Sequence, residues 1–134
     1  MKNRLLILTQ TVDKKDRELG FFHQWILEFA RQNDPLTVVC LKMGAYDLPK
    51  NVKVLSLGKE EKRSRLMYVL RFYKYIWQER KNYDAVFVHM NEEYILLGGL
   101  FWKLWGKRIT MWRNHLKGTA YTKLAVSLSN RVFC

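Results

Sequence analysis

The chain has 134 residues, 49% of them apolar, with 24 Lys or Arg against 12 Asp or Glu and a formal net charge of +12. Length and apolar content suit one domain with a real core and exclude a disordered chain. The charge points to an anionic partner, whether phosphate groups, nucleic acid or an acidic membrane surface, and does not choose among them.

Arg4 to Gln10 reads as a buried strand, a short unbroken apolar run. Its segment Leu5-Leu6-Ile7-Leu8 is too short for a signal peptide. Thr11 to Arg17 is a polar loop in which Asp16 is placed to cap a helix. Glu18 to Gln32 carries Leu19, Phe22, Ile26, Phe29 and Ala30 at helical spacing, and Asn33-Asp34-Pro35 stops it. Leu36 to Leu41 is a second strand and Val52 to Leu57 a third, bounded by Pro49 and Gly58.

Lys59 to Lys81 is a long helix candidate with eight Lys or Arg against three Glu. Its apolar stripe of Leu66, Val69, Leu70, Tyr73, Ile76 and Trp77 is expected to pack on the sheet, leaving a basic face in solvent. Tyr68, Phe72 and Tyr75, interleaved with the charges, would suit the headgroup level of an anionic membrane. There Arg63, Arg65, Arg71 and Lys74 would face the lipid.

Asp84 opens a fourth strand. Tyr94 to Trp105 is an apolar helix closed by Gly106, with Gly98-Gly99 allowing close approach to the sheet. Its longest apolar run, Ile95 to Trp102, is far short of a membrane span. Lys107 begins a fifth strand, Thr119 to Asn130 forms a last helix, and Arg131 to Cys134 starts a sixth strand. A chain closing on a bare apolar strand is expected to be cut short, or to be covered by another domain or chain. Cys40 and Cys134 make no disulfide framework, which fits a reducing compartment.

Strands alternating with helices predict an open, mostly parallel α/β sheet of about six strands with helices on both faces. In such sheets ligands bind outside the carboxyl ends of the strands. The fourth strand ends in His89-Met90-Asn91-Glu92-Glu93 and the fifth in Arg113-Asn114-His115. His89, Asn91, Glu93, Asn114 and His115 are therefore expected to gather at one edge. The first loop, with Lys14, Lys15, Arg17 and Gly20 before a helix, is a second candidate, for phosphate. There is no G-x-G-x-x-G, H-E-x-x-H, C-x-x-C or G-x-S-x-G motif.

Four features in order resemble the N-terminal half of family-4 (group 1) glycosyltransferases, which have the two-domain GT-B fold. They are the strand Leu6 to Gln10 followed by Leu19-Gly20-Phe21-Phe22; the strand Tyr83-Asp84-Ala85-Val86-Phe87-Val88-His89; the Gly98-Gly99 helix ending Trp105-Gly106-Lys107; and the strand closing on His115, with Ser129-Asn130-Arg131-Val132-Phe133 beyond. The resemblance spans essentially the whole chain and implies one Rossmann-like, acceptor-side domain over residues 1–134. The implied activity is retaining sugar transfer from a nucleotide-sugar co-substrate to a glycan or lipid-linked acceptor, without metal or other cofactor.

His115 then matches the residue that reaches the transferred sugar. Gly20 matches the glycine beside the donor diphosphate, although Leu19 stands where the family usually has a preceding glycine. His89, Asn91, Glu93 and Asn114 fall to the acceptor side. The donor-binding domain would be a further domain or a partner chain, and the chain alone is expected to be inactive. From its cysteines and charge the protein is expected to be cytoplasmic, either soluble or peripheral at the inner face of the membrane. A non-catalytic partner subunit of a split glycosyltransferase and a basic nucleic-acid-binding module are the alternatives; no nucleic-acid motif is present.

Overall fold

The structure is a computed structural model that describes residues 3–13, 22–59, 64–89, 93–112 and 131–133. Six strands, β1 (Asn3–Val12), β2 (Asn33–Met43), β3 (Val52–Ser56), β4 (Ala85–His89), β5 (Arg108–Trp112) and β6 (Arg131–Phe133), form one sheet. With them go three helices, α1 (Phe22–Gln32), α2 (Arg65–Gln78) and α3 (Glu93–Leu104). The sheet order is β3-β2-β1-β4-β5-β6 and every neighbouring pair is parallel. This is the open α/β sheet that the strand–helix alternation predicts, in the Rossmann-like order. The last predicted helix, Thr119 to Asn130, lies outside the described residues.

Handedness explains the layers. The chain steps from β1 to β2 in one direction across the sheet, then returns over β1 to β4 and continues to β5. Right-handed crossovers in opposite directions put their helices on opposite faces. Accordingly α1 covers Ile7, Leu36, Val38, Cys40 and Phe87. α2 and α3 cover Leu6, Leu8, Val39, Val86, Val88, Ile109 and Met111. Neighbouring residues along each central strand point to different cores, which is why these strands read as unbroken apolar runs.

Side chains close the helix ends. Asn33 Nδ2 donates to Phe29 O at 2.9 Å, and Asn51 Nδ2 donates to Ala30 O at 2.8 Å, satisfying last-turn carbonyls of α1. Ser64 Oγ accepts from Met67 N–H at the start of α2. The predicted helix over Lys59 to Lys81 is thereby shortened at its front to the capped residue. At the end of α3, Lys107 N–H bonds Trp102 O and Gly106 N–H bonds Lys103 O, with Gly106 at φ 72°. That is a Schellman termination, which favours glycine at its left-handed position.

α2 is rotated relative to the expectation from its apolar stripe. Phe72 and Ile76 are the residues it buries, with Tyr68, Tyr73 and Tyr75 packed against the same core. Leu66, Leu70 and Trp77, predicted to face inward, are exposed. The aromatic residues win because each buries a large ring and two find a partner for the hydroxyl. Tyr75 Oη donates to Ser56 O at 2.9 Å and Tyr73 Oη to Leu97 O at 2.8 Å. Tyr68 and Tyr75 therefore pack on the core and are not placed to lie at a headgroup level.

Phe72 sets the rotation. Its ring stacks on Tyr94 at 5.5 Å and meets Trp102 edge-on at 6.1 Å. It fits there because Gly98 has no side chain: a Cβ would come 2.9 Å from the Trp102 ring and 3.1 Å from Phe72. The Gly-Gly pair of α3 thus serves helix-to-helix approach at Gly98. Behind it, Trp102 Nε1 donates to Tyr83 Oη at 3.1 Å, and Tyr83 Oη donates to Ile76 O at 3.0 Å. Burial raises the Tyr83 phenol above its ordinary pKa and holds it in the protonated, donating form. Gly98→Val is expected to lower the free energy of unfolding by about 1–3 kcal/mol through overpacking. Urea denaturation would check it, and an unchanged midpoint would contradict the packing described.

Candidate functional site

All strands run the same way, so Val12, Met43, Ser56, His89 and Trp112 end on one edge. The reversal of strand order falls between β1 and β4, where helices leave for opposite faces, and a crevice opens at such a point. On its α2–α3 side a cavity of about 300 Å³ is lined by Gln10, Leu41, Leu57, Tyr68, Val69, Phe72, Tyr94 and Leu97. That is the lower end of small-ligand pockets, roughly 300–1,000 Å³.

The cavity grows out of the strand pattern. Leu6 and Leu8 point into the α2–α3 core, and Gln10, two residues before the end of β1, continues that register. A half-buried polar amide thus follows two buried leucines beside the cavity. Tyr94 is buried, stacks on Phe72 and donates from Oη to Thr9 O at 3.3 Å. The walls are aromatic and aliphatic, and the Gln10 amide can both donate and accept. Such a lining takes a ligand with an apolar face and a few hydroxyls.

His89 stands on the opposite side of the sheet. It shares the register of Phe87, which packs under α1. Its ring is 1% exposed. It stacks on Phe22 with centroids 3.9 Å apart and planes 7° from parallel. Thr9 Oγ1 and His89 Nδ1 are hydrogen-bonded at 3.1 Å. Trp25 leans on His89 and meets Trp112 edge-on at 5.1 Å, extending the aromatic layer toward β5. His89, expected on the acceptor side, has its ring enclosed by α1 and by its neighbours. Burial lowers its pKa to about 4, so the imidazole is neutral at pH 7.

The other candidates fall as follows. Glu93 is the first residue of α3, at the carboxyl edge of the sheet. Gly20, Arg63, Asn91, Asn114 and His115 lie outside the described residues. The structure therefore describes one of the two expected histidines. Arg65 and Lys74 are exposed on α2 and Arg71 is half-buried. Among the described residues no three His, Cys, Asp or Glu are grouped to hold a metal ion, and no helix is long and apolar enough to cross a membrane.

Gln10, Tyr68 and Tyr94 were missed by sequence reasoning. The available signal was the polar residue ending the Leu6-Leu8 register of β1. His23 was also passed over. It is buried, and its Nε2 accepts from Asp47 N–H at 3.0 Å, fastening the β2–β3 connection over α1. No family model matches this chain, and no curated protein matches it.

The buried imidazole makes stability depend on pH. In the unfolded chain the ring takes a proton below about 6.5. In the folded chain it stays neutral to about 4. The contribution is complete above the unfolded value and is lost as pH falls from about 6.5 to about 4, by on the order of 2–3 kcal/mol. Urea unfolding across that window should show the loss for the native chain. His89→Asn, which keeps a hydrogen-bonding group near the position of Nδ1, should flatten it. An equal slope in both proteins would show that His89 does not titrate as described.

Proposed function

We propose that this chain forms the acceptor side of a retaining glycosyltransferase. The observation that carries the reading is the aromatic-walled cavity beside Gln10, at the carboxyl edge of an all-parallel sheet in Rossmann-like order. Sugar rings and lipid chains both present apolar faces that pack on Tyr and Phe, and the half-buried Gln10 amide can hydrogen-bond a hydroxyl. Tyr68, Phe72 and Tyr94 would hold the acceptor body, and Gln10 would fix one of its hydroxyls.

In the reaction proposed, the bond from the sugar's anomeric carbon to the nucleotide diphosphate breaks. A bond from the same carbon to the acceptor oxygen forms, the acceptor's proton leaves, and the diphosphate departs as an anion. The resemblance assigns His115 to the transferred sugar and Gly20 to the departing diphosphate. It assigns most of the donor contacts to a separate domain or chain. Asn91, Glu93 and Asn114 remain its candidates for the acceptor rim, while the role of His89 is to set α1 against β1 and β4.

An NMR titration of the chain with a short-chain alkyl glycoside, kept below micelle formation, tests the reading. Saturable shifts are expected at Gln10, Tyr68 and Tyr94. Leu97→Trp, which fills the cavity, should weaken the response roughly tenfold, a change of about 1.4 kcal/mol. Nucleotide sugar alone should leave these residues unmoved. Shifts absent from the cavity, or indifferent to its filling, would contradict the proposal.

A further inference from the structure

Among the described residues, every exposed large hydrophobic side chain except Tyr46 lies on α2 or α3. They form one surface. Leu66, Leu70 and Trp77 recur along one stripe of α2, at 69%, 55% and 57% exposure, and Leu100, Phe101 and Leu104 face outward from α3, the last 79% exposed. The stripes are joined by ring contacts. Tyr73 meets Phe101 at 5.8 Å, Phe101 meets Trp105 at 5.7 Å, and Trp105 meets Trp77 at 5.9 Å. A soluble surface seldom leaves so much contiguous apolar area in water without a use for it.

Among the described residues, the charges along the flanks of this surface are cationic. Helical spacing puts Arg71 and Lys74 along the flank of the α2 stripe away from α3, and Lys103 along the flank of the α3 stripe away from α2. The Arg80 guanidinium lies 3.8 Å from the centroid of the Trp77 ring. α2 contains no Asp or Glu, and in α3 the acidic residue is Glu93, at the end nearest the carboxyl edge of the sheet. An apolar strip bordered by Trp and Tyr, with cations on both flanks, is the arrangement of a helix face that lies in a membrane interface. Leucines reach the acyl boundary, amphipathic rings sit at headgroup depth, and Lys and Arg meet anionic lipid.

We infer that the outer face of α2 and α3 is a docking surface for an anionic phospholipid bilayer, which the chain contacts from one side without crossing. Charge complementarity selects this occupant: a net charge of +12 and cations on both flanks suit a uniformly anionic sheet. The inference stands independently of sugar transfer, because it uses the outward surface and not the cavity. If both hold, the cavity between the same two helices opens close to the lipid, where a lipid-linked acceptor resides.

The test is co-sedimentation of the full chain with vesicles of phosphatidylcholine alone or mixed with phosphatidylglycerol, with tryptophan quenching by brominated acyl chains as the second readout. Binding is expected only with phosphatidylglycerol present, weakening as salt rises, with quenching in the bound state. Lys74→Gln with Lys103→Gln should reduce partitioning by roughly 25-fold, at about fivefold per neutralised residue. Leu70→Ser with Leu104→Ser should abolish quenching while leaving the thermal melt unchanged, since both leucines are exposed. Failure to sediment with anionic vesicles, or binding untouched by the leucine substitutions, would overturn the inference. So would a concentration-dependent dimer that those substitutions dissociate while vesicles leave the chain free.

Discussion

The ring of Phe72, seated over Gly98 between Tyr94 and Trp102, governs the rest of this molecule. A helix with large apolar residues on two faces has two ways to lie on a sheet. Leu66, Leu70 and Trp77 lead one; Tyr68 and Phe72 lead the other, and Tyr73 and Ile76 lie between them. The second prevails because α3 has a gap shaped for Phe72, and because Tyr73 and Tyr75 each find a backbone carbonyl. Once α2 is turned that way, its leading half frames the cavity at the carboxyl edge with Tyr68 and Phe72. Its leucines and Trp77 are thrown outward beside Phe101 and Leu104. Inner cavity and outer apolar face are two consequences of one packing decision.

The two sides of the sheet divide the work at that edge. Under α1, the polar side chains of Thr9 and His89 are drawn into an aromatic layer with Phe22, Trp25 and Trp112. A neutral imidazole fits there because desolvation works against its charged form. Under α2 and α3, Gln10 is left beside a hollow. The rigid side fixes where β1 and β4 end, and the open side is where a ligand can enter. Tyr83 and Trp102 tie α2 and α3 together at the far end.

The strands were legible because parallel strands buried on both faces must be apolar throughout, and their order followed from alternation with helices. Rotation of α2 was not legible. Helical spacing identified a stripe of Leu66, Val69, Leu70, Tyr73, Ile76 and Trp77; Tyr73 and Ile76 pack on the core while Leu66, Leu70 and Trp77 do not, and spacing alone does not say which edge of so broad a stripe the core takes. Nor could the apolar circumference of α3 be divided between core and solvent without knowing where Phe72 inserts. His89 was legible as the end of β4, but its enclosure under α1 was not, since a period of two says nothing about which face carries a cavity. The polar ending of β1 at Gln10 was readable and outweighed by the more conspicuous histidines.

Cysteine accessibility measures the orientation of α2 directly. Single cysteines at Leu70 and at Phe72, in a Cys134→Ser background where Cys40 is buried, would be labelled by a maleimide under native conditions. The cysteine at position 70 should react near the unfolded-peptide rate and the one at 72 far more slowly, its labelling limited by opening of the fold. The reverse order, with 72 fast and 70 protected, would place the leucine stripe on the sheet and contradict the account of both the cavity and the outer face.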